Sequence, residues 1–234
     1  IAIDVIMPDG RTLQVASVHH YRDQWAKAFD VKYEDESGEQ KYVHQTTYGM
    51  SERLLGATVA THGDDKGLII PPSIAPIQVI IVPILSKEGS GEVMAVANEM
   101  VNTLKSEKIR AKLDDRDIRP GQKYYDWEIK GVPLRIELGP RDLKSNSFMC
   151  ARRTGEKSSY SIDELITSVR KELKSVDTHM KENAKNHFDN RIKQMPSLEI
   201  VDSHLFLDEN LEKGFVYEMA FDGNDAEAEM IEKE

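Results

Sequence analysis

The stretch that decides the fold is Gln78-Val79-Ile80-Ile81-Val82-Pro83-Ile84, a continuous apolar run without the polar alternation of a surface strand. Such a run is expected of a strand that is buried on both faces of a sheet. The following segment, Glu92–Lys105, carries apolar side chains at helical spacing, at Val93, Val96, Met100, Val101 and Leu104. A buried strand followed by an amphipathic helix predicts a compact α/β domain.

Further elements extend this domain toward the C-terminus. Two apolar runs, Ile109–Leu113 and Leu134–Leu138, predict additional strands. Ser161-Ile162-Asp163-Glu164 has the spacing of a capping box, which predicts that a helix begins there. The helical pattern continues with a more polar surface through Ile192, and Met195-Pro196 is predicted to end it. The predicted order is β-α-β-β-α.

Composition agrees with a soluble intracellular protein. The 234 residues are 39% hydrophobic and 31% charged, which is enough for a buried core and for two domains or a little more. No apolar run reaches the length of a membrane span, and no signal-peptide pattern is found. The single Cys150 cannot form an intrachain disulfide. We therefore predict a cytoplasmic protein that does not associate with membranes.

The distribution of charge limits the kind of nucleic-acid interface that this chain can have. A net charge of −10 argues against a general nucleic-acid binder, whose affinity comes mainly from neutralising phosphates. Lys and Arg recur between Lys108 and Arg153, whereas Asp208–Glu234 is acidic and is expected to be solvated. A protein that reads only a few bases needs a basic surface only where the nucleic-acid backbone passes. Arg152-Arg153 is predicted to meet phosphates or to lie on a solvated strand.

The segment Tyr48-Gly49-Met50-Ser51-Glu52-Arg53 has residue types that suit the handling of ATP. Gly49 and Ser51 are small enough to let a substrate approach the backbone closely. Arg53 lies on the helix predicted to follow, where its guanidinium can face a phosphate or an adenine ring. The alternative is a glycine turn before an amphipathic helix with a solvated arginine.

A second polar pattern lies upstream, in Leu13–His20. Gln14, Ser17 and His19 alternate with apolar residues in the manner of a strand whose two faces have different surroundings. The adjacent His19 and His20 point to opposite faces of such a strand, so they are not expected to share a metal. The alternative for His19 is a hydrogen-bonded histidine near a sheet edge.

The longer run from Tyr48 to Ile81 resembles the third sequence motif of class II aminoacyl-tRNA synthetases, in the form found in prolyl-tRNA synthetases. After Arg53 the shared pattern consists of His62-Gly63-Asp64-Asp65, Gly67-Leu68, Pro71-Pro72 and Pro76-Ile77-Gln78-Val79. The resemblance implies that ATP is bound by Arg53, Gln45 and Thr47. It also implies a proline pocket formed by Gln14, Ser17, His19, Tyr48, Gly49 and Ser51.

Three segments of the α/β domain resemble the anticodon-binding domain of the same family, namely Asp114–Asp117, Trp127–Pro133 and Glu137–Leu143. The proline anticodon carries guanine in its second and third positions, and a guanine edge offers N–H donors and an O6 acceptor. Reading guanine therefore takes a carboxylate next to a cationic or N–H donor. The resemblance implies that the anticodon is bound by Glu128, Arg135, Arg141, Asp142 and Lys157.

Structural alternatives remain for these residues. Arg141-Asp142 follows Gly139-Pro140 and can instead be a turn with a surface ion pair. Glu128 and Lys130 alternate across a predicted strand, so one of them can be an ordinary exposed charge. Trp127 is expected in the core rather than as a platform on which bases stack.

The C-terminal segment Gly214–Phe221 resembles the first strand of the extra domain of archaeal and eukaryotic-type prolyl-tRNA synthetases. Many relatives carry paired cysteines for zinc shortly after this strand, where the present chain has Asp222 and Glu227. Structural zinc takes four Cys or His ligands. We therefore predict no zinc and no other metal site in this chain.

These features predict an α/β chain of three parts. Residues 1–75 are assigned to the distal half of a class II catalytic core with an antiparallel sheet and the third motif. Residues 76–176 are assigned to an anticodon-binding domain with a mixed sheet flanked by helices. Residues 177–234 are assigned to a helical connection and the start of a small α+β C-terminal domain.

The resemblance implies the C-terminal part of a proline–tRNA ligase, with ATP, Mg²⁺, proline and tRNA(Pro) as partners and a homodimer as the full-length form. No catalytic side chain is assigned, because both steps of the reaction need positioning and charge stabilisation more than acid–base chemistry. The first and second class II motifs are not found, so the chain alone is not expected to catalyse adenylation. Two alternatives stay open: a non-catalytic synthetase-derived tRNA-binding protein, and another class II synthetase of the threonyl or glycyl type.

Overall fold

The computed structural model describes residues 1–85, 89–195, 199–201, 204–206 and 212–218. The chain forms two compact units. The first consists of residues 1–60 together with the chain from residue 187 onward, and the second of residues 61–186. The domain limits at 75/76 and 176/177 stay predictions, because compactness alone does not define a domain.

The first unit is built on a three-stranded antiparallel sheet with strand order β1-β2-β5. These strands are β1 (Ala2–Ile6), β2 (Thr12–Arg22) and β5 (Gln45–Met50). The chain between β2 and β5 forms helix α1 (Gln24–Ala28) and a hairpin of β3 (Lys32–Glu34) and β4 (Gln40–Tyr42). Helix α2 (Arg53–His62) begins just after the Gly49-Met50-Ser51 segment, as the sequence predicts.

The second unit contains a five-stranded mixed sheet with strand order β10-β9-β8-β6-β7. Strands β6, β7 and β8 run parallel, and β9 and β10 are antiparallel additions at the other edge. The strands are β6 (Val79–Pro83), β7 (Ala111–Leu113), β8 (Leu134–Leu138), β9 (Ser147–Arg152) and β10 (Lys157–Ser161). The helices are α3 (Ser90–Ser106), α4 (Pro120–Ile129), α5 (Pro140–Lys144) and α6 (Leu165–Asp189).

Both faces of this sheet are covered by helices. One face, which includes Val79, Ile81 and Ile136, packs against apolar residues of α3 and α6. On the other face, Ile80 and Val82 pack with Trp127 of α4. Every residue of β6 is buried, which confirms the prediction of a strand enclosed on both faces. The sheet therefore separates two layers of side chains. The charged residues of β8, which face α4, lie in the same layer as Trp127.

Four short strands complete the described part of the first unit. β11 (Ile192–Gln194) pairs in parallel with β14 (Val216–Glu218), and β12 (Glu199–Val201) pairs with β13 (His204–Phe206) in antiparallel fashion. The predicted strand at Gly214–Phe221 is found as β14 over its described part. Asp222, Glu227 and the rest of the acidic C-terminal segment lie outside the described residues.

Two predicted elements are wrong. Glu128 and Lys130 do not alternate across a strand, because Glu128 lies in the last turn of α4 and Lys130 directly follows that helix. The long polar helix does not reach Ile192 either: α6 ends at Asp189, and Ile192 starts β11 instead. In the second case, backbone pairing with β14 takes precedence over the helical pattern of the sequence.

The proline-rich segment that follows α2 is held in place within the second unit. The Leu68 N–H donates to the Ile129 carbonyl at 3.0 Å, and the Arg110 guanidinium donates to the carbonyls of Pro72 and Ala75. Arg153 donates to the Asp64 carboxylate at 2.9 Å, and its side chain is buried. Arg153 is therefore neither solvated nor free to meet phosphates, contrary to the sequence-based expectation, because it holds this segment in place.

Candidate functional site

The first group of candidate residues lies on the paired strands β2 and β5. Ser17 is directly opposite Gly49, and His19 is directly opposite Thr47. Opposed residues of an antiparallel pair point to the same face of the sheet, and Gln45 joins them because it is two residues from Thr47. This pairing brings predicted ATP-binding and proline-binding residues onto one face.

A bulge in β2 adds Gln14 to this face. Asp4 of β1 is opposite Gln14, whereas the preceding Ile3 is opposite Ala16, so Val15 is an extra residue in β2. The extra residue reverses the alternation. Gln14 therefore shares a face with Ser17, although a regular strand would place residues 14 and 17 on opposite faces.

The remaining candidates of the first unit are placed differently. Tyr48 is opposite Val18, so its side chain points to the other face of the sheet, where it is exposed. Ser51 follows β5, and its N–H donates to the Val15 carbonyl at 3.2 Å. Arg53 is the first residue of α2 and is exposed. The structure thus brings six of the predicted residues onto one face and leaves Tyr48 on the other.

A row of four aromatic rings in contact lies next to this face and was not predicted from the sequence. The rings of His19 and Tyr21 stack with a centroid distance of 5.4 Å, Tyr21 meets Trp25 edge-on at 5.7 Å, and Trp25 stacks on Phe29 at 5.8 Å. Together with Val31, Gln45 and Thr47, the last three aromatic residues line an open cavity of about 320 Å³. The four-residue spacing of Trp25 and Phe29, which lie on α1 and at its end, is the sequence signal that could have indicated part of this cluster.

The second group of candidates meets on β8, α4 and β10 in the second unit. Arg135 of β8 donates from Nη1 to Glu128 at 3.1 Å, and from Nε and Nη2 to Glu137 at 3.1 and 2.9 Å. Lys157 of β10 donates to Glu137 at 2.9 Å. Burial alone would raise the pKa of the Glu137 carboxyl, but hydrogen bonds from Lys157 and Arg135 outweigh burial and lower it. Two predicted residues, Arg135 and Lys157, are thus joined through a carboxylate to which no role was assigned, and Glu128 is joined to them through Arg135.

An aromatic ring completes this cluster. The Arg135 guanidinium lies 4.0 Å from the centroid of the Tyr124 ring, and the Lys157 ammonium lies 5.8 Å from it. Burial, and next the charge of Glu137, raise the pKa of the Tyr124 hydroxyl to about 12. Tyr124 therefore stays protonated at neutral pH. We call Tyr124, Glu128, Arg135, Glu137 and Lys157 the β8 cluster.

Arg141 and Asp142 lie on the short helix α5 and not in an irregular turn. The Asp142 carboxylate accepts a hydrogen bond from the Gly139 N–H at 2.8 Å, which caps the start of this helix. The charge of Asp142 is the smallest of the causes that raise the pKa of the Tyr124 hydroxyl. Arg141 is exposed and makes no side-chain contact with the β8 cluster.

Trp127 belongs to the core, as expected. It is 7% exposed, and its indole N–H donates to the Asp114 carboxylate at 2.7 Å. Arg116 binds the same carboxylate through two nitrogens, at 2.8 and 2.7 Å. Burial opposes the ionisation of Asp114, but the hydrogen bonds from Arg116 and Trp127 prevail and lower its pKa to about 2. The segment Asp114–Asp117 is therefore bound to α4, through Trp127 and Asp126 of that helix.

Among the described residues, no group of three or more His, Cys, Asp or Glu side chains is arranged to hold a metal ion. In the same part of the chain, no helix is both long and apolar enough to cross a membrane.

Comparison with known proteins gives consistent results for both units. The family model of the anticodon binding domain matches residues 78–172. The chain is 50% identical to the proline–tRNA ligase of Thermococcus kodakarensis over 200 residues, which are 85% of this chain and 42% of that protein. It is 50% identical to the proline–tRNA ligase of Methanosarcina mazei over 192 residues, which are 82% of this chain and 40% of that protein.

A solved structure of Giardia lamblia prolyl-tRNA synthetase in complex with prolyl-adenylate superimposes with a TM-score of 0.78 at 34% identity, over 82% of this chain and 42% of that one. The chain thus spans about two fifths of the length of the relatives that it matches. Its mixed five-stranded sheet flanked by helices coincides with the matched domain, and an antiparallel sheet precedes it. These findings support a C-terminal part of a prolyl-tRNA synthetase, with an anticodon-binding domain at residues 78–172.

Proposed function

We propose that this chain supplies an ATP- and proline-binding face and the anticodon-reading domain of a proline–tRNA ligase. In the complete enzyme, the carboxylate of proline attacks the α-phosphate of ATP and displaces pyrophosphate, and a terminal ribose hydroxyl of tRNA(Pro) then attacks the prolyl carbonyl and displaces AMP. The observation that carries the proposal for this chain is the Glu128–Arg135 pair, which offers a carboxylate acceptor and a guanidinium donor side by side at 3.1 Å. We further propose a cytoplasmic homodimer as the form of the complete enzyme.

The face formed by β2 and β5 suits the first reaction step because it offers short polar groups on a rigid support. Ser17, His19 and Thr47 are held at fixed separations by backbone pairing. Adenylation depends on positioning and on stabilisation of charge at the phosphates. We assign the phosphate or adenine contact to Arg53. We assign the proline contacts to Gln14, Ser17 and His19 of this face, to the open backbone at Gly49 and, at the edge of the face, to Ser51.

Mg²⁺ is proposed to enter with the phosphates of ATP. The described residues contain no metal-ligand set, so we assign no side chain to it. Tyr48, whose side chain points away from the face that carries Ser17, is assigned only a supporting role in the proline pocket.

The β8 cluster suits the reading of a guanine edge. Guanine presents N1–H and N2–H donors next to its O6 acceptor, and the Glu128 carboxylate with Arg135 Nη1 offers the complementary order of acceptor and donor. Glu128 is partly exposed, so a base can reach it from solvent. Lys157 is more exposed and is proposed to contact the base or its phosphate. Asp142 and Arg141 are proposed to act beside this cluster on a second base.

The proposal is tested by binding of the chain to two RNA hairpins that differ only in the loop. One hairpin carries a proline anticodon with guanine in the second and third positions, and the other carries adenine there. We expect the chain to bind the guanine hairpin at least tenfold more tightly, since one good bidentate base contact contributes about 1 to 3 kcal/mol. Glu128→Gln should remove most of this difference.

The matched control is Asp126→Asn. Asp126 lies on the same helix as Glu128 and also forms an ion pair with an arginine, Arg116, but it is not part of the β8 cluster. Asp126→Asn should keep the preference for guanine. Equal binding of both hairpins by the unmodified chain would refute the anticodon-reading role.

A further inference from the structure

Glu137 occupies an unusual position in the β8 cluster. It lies on β8, and its side chain is only 11% exposed. A single oxygen, Oε1, accepts three hydrogen bonds: from Arg135 Nε at 3.1 Å, from Arg135 Nη2 at 2.9 Å and from Lys157 Nζ at 2.9 Å. One buried carboxylate oxygen therefore holds both cations of the cluster.

The burial of the four charged residues separates two roles. Glu128 and Lys157 are 32% and 51% exposed, so a nucleic acid can reach them, whereas Glu137 and Arg135 are 11% and 10% exposed. Arg135 can meet a ligand only through Nη1, which lies against the partly exposed Glu128. Glu137, whose Oε1 already accepts three hydrogen bonds, is not placed to contact a base. With two carboxylates and two cations, the formal charge of the cluster is zero.

The hydrogen bonds also decide which donor of Arg135 faces a ligand. Nε and Nη2 are both bound to Glu137, and Nη1 points to the partly exposed Glu128. Without Glu137, the guanidinium could turn its two-nitrogen edge toward any phosphate, because Arg–phosphate pairs are bidentate and carry no sequence information.

We propose that Glu137 is a positioning residue that makes the β8 cluster select guanine rather than the RNA backbone. It fixes Arg135 so that only Nη1 is offered to a base, and it neutralises the charge of Arg135 and Lys157 that phosphates would otherwise attract. The inference rests on the proposed anticodon-reading function.

The test is Glu137→Gln in the full chain, measured with the guanine and adenine hairpins at several salt concentrations. We expect the ratio of the two affinities to fall about tenfold, which corresponds to the loss of one good base contact. The affinity for the adenine hairpin should not fall, and its salt dependence should steepen by about one unit of slope, since one more cation is free to neutralise a phosphate. A merely structural role would weaken binding of both hairpins alike and leave the slope unchanged.

The matched control is Glu172→Gln. Glu172 is also a buried carboxylate of this unit, with Arg152 at 3.2 Å and a hydrogen bond from Tyr160, but it lies on α6, which packs against the opposite face of the sheet. Glu172→Gln should lower stability without changing the affinity ratio or the salt slope. A change in either quantity would mean that loss of any buried charge suffices, which would overturn the special role of Glu137.

Three further outcomes are decisive. An affinity ratio that is unchanged in Glu137→Gln would contradict the inference while leaving the proposed function intact. A failure of the unmodified chain to prefer guanine would refute both the proposed function and the inference that rests on it.

If Glu137→Gln does not fold, Glu137→Asp takes its place, because aspartate keeps the charge but is shorter by one methylene, which withdraws the carboxylate oxygen from Arg135 and Lys157. A full affinity ratio in Glu137→Asp would then contradict the positioning role.

Discussion

The two candidate sites differ in how their polar side chains are held. On the β2 and β5 face, the side chains of Gln14, Ser17, Gln45 and Thr47 make no hydrogen bond within the described part of the chain. In the β8 cluster, by contrast, Arg135 is bound by two carboxylates and lies over an aromatic ring. The second site is therefore organised before a ligand arrives, whereas the first has a rigid backbone but side chains still available to ligands.

The largest expected effect concerns stability and sharpens this contrast. Glu137→Ala leaves the buried Arg135 with Glu128 as its remaining partner and should lower the free energy of unfolding by about 3 kcal/mol. Thr47→Ala removes an exposed side chain without hydrogen bonds and should change it by less than about 0.5 kcal/mol. Urea unfolding measures both values. Equal losses would show that the two sites are not organised differently.

The second prediction addresses the function of the exposed site. In a complete synthetase that carries this chain, Arg53→Ala should reduce proline-dependent pyrophosphate exchange by about 100-fold, because a charged donor at the phosphates is lost from the transition state. The affinity for tRNA should stay nearly unchanged, because the β8 cluster lies in the other unit. Normal exchange by this variant would remove Arg53 from the site.

The third prediction concerns acid stability of the second unit. The pKa of Asp114 is lowered from 3.8 to about 2 in the folded chain, so its stabilising contribution is present above about pH 4 and is lost as the pH falls toward 2. We expect a loss of about 2 kcal/mol over this interval. Asp114→Asn should flatten the dependence, and Asp117→Asn, an exposed neighbour, should not. An unchanged slope in Asp114→Asn would contradict this explanation.

Much of the second unit could be predicted from the sequence, since its strongest patterns were long and unambiguous. β6, α3 and β8 all lie within their predicted ranges or within two residues of them. Helix α4 was missed because Trp127 and Ile129 alternate with charged residues, which imitates a strand. The sequence also carries two signals of a helix, namely Pro120 at its first position and Gly131, where φ is +69°, shortly after its end. The alternation of apolar and charged residues outweighed these signals.

The candidate sites were less predictable than the fold. The residue types on β2 and β5 could be selected from the sequence, but the bulge at Val15 that aligns Gln14 with Ser17 depends on pairing with β1. Glu137 was overlooked as a functional residue because a charged residue in a strand is usually exposed. Only the three-dimensional meeting of β8 and β10 shows that two cations cover it.

The fourth prediction, with a smaller effect than the first three, tests the role of Asp142, which the structure places at a helix start. Asp142→Ala removes the hydrogen bond to the Gly139 N–H and should cost about 1 kcal/mol of stability. It should also weaken binding of the guanine hairpin by about tenfold if Asp142 reads a base. Asp142→Asn keeps a cap acceptor, so it should recover stability but not RNA affinity. Recovery of both by Asp142→Asn would leave Asp142 with a structural role alone.

The most direct test of the account is a double-mutant cycle between Glu128 and the 2-amino group of guanine. Inosine, which lacks only that group, replaces each anticodon guanine in turn in the RNA hairpin, and binding is measured for the unmodified chain and for Glu128→Gln. We predict that at one position the inosine penalty of the unmodified chain disappears in the variant, with a coupling energy of at least about 1 kcal/mol. A coupling energy of zero at both positions would show that Glu128 does not read guanine, and would contradict the central claim.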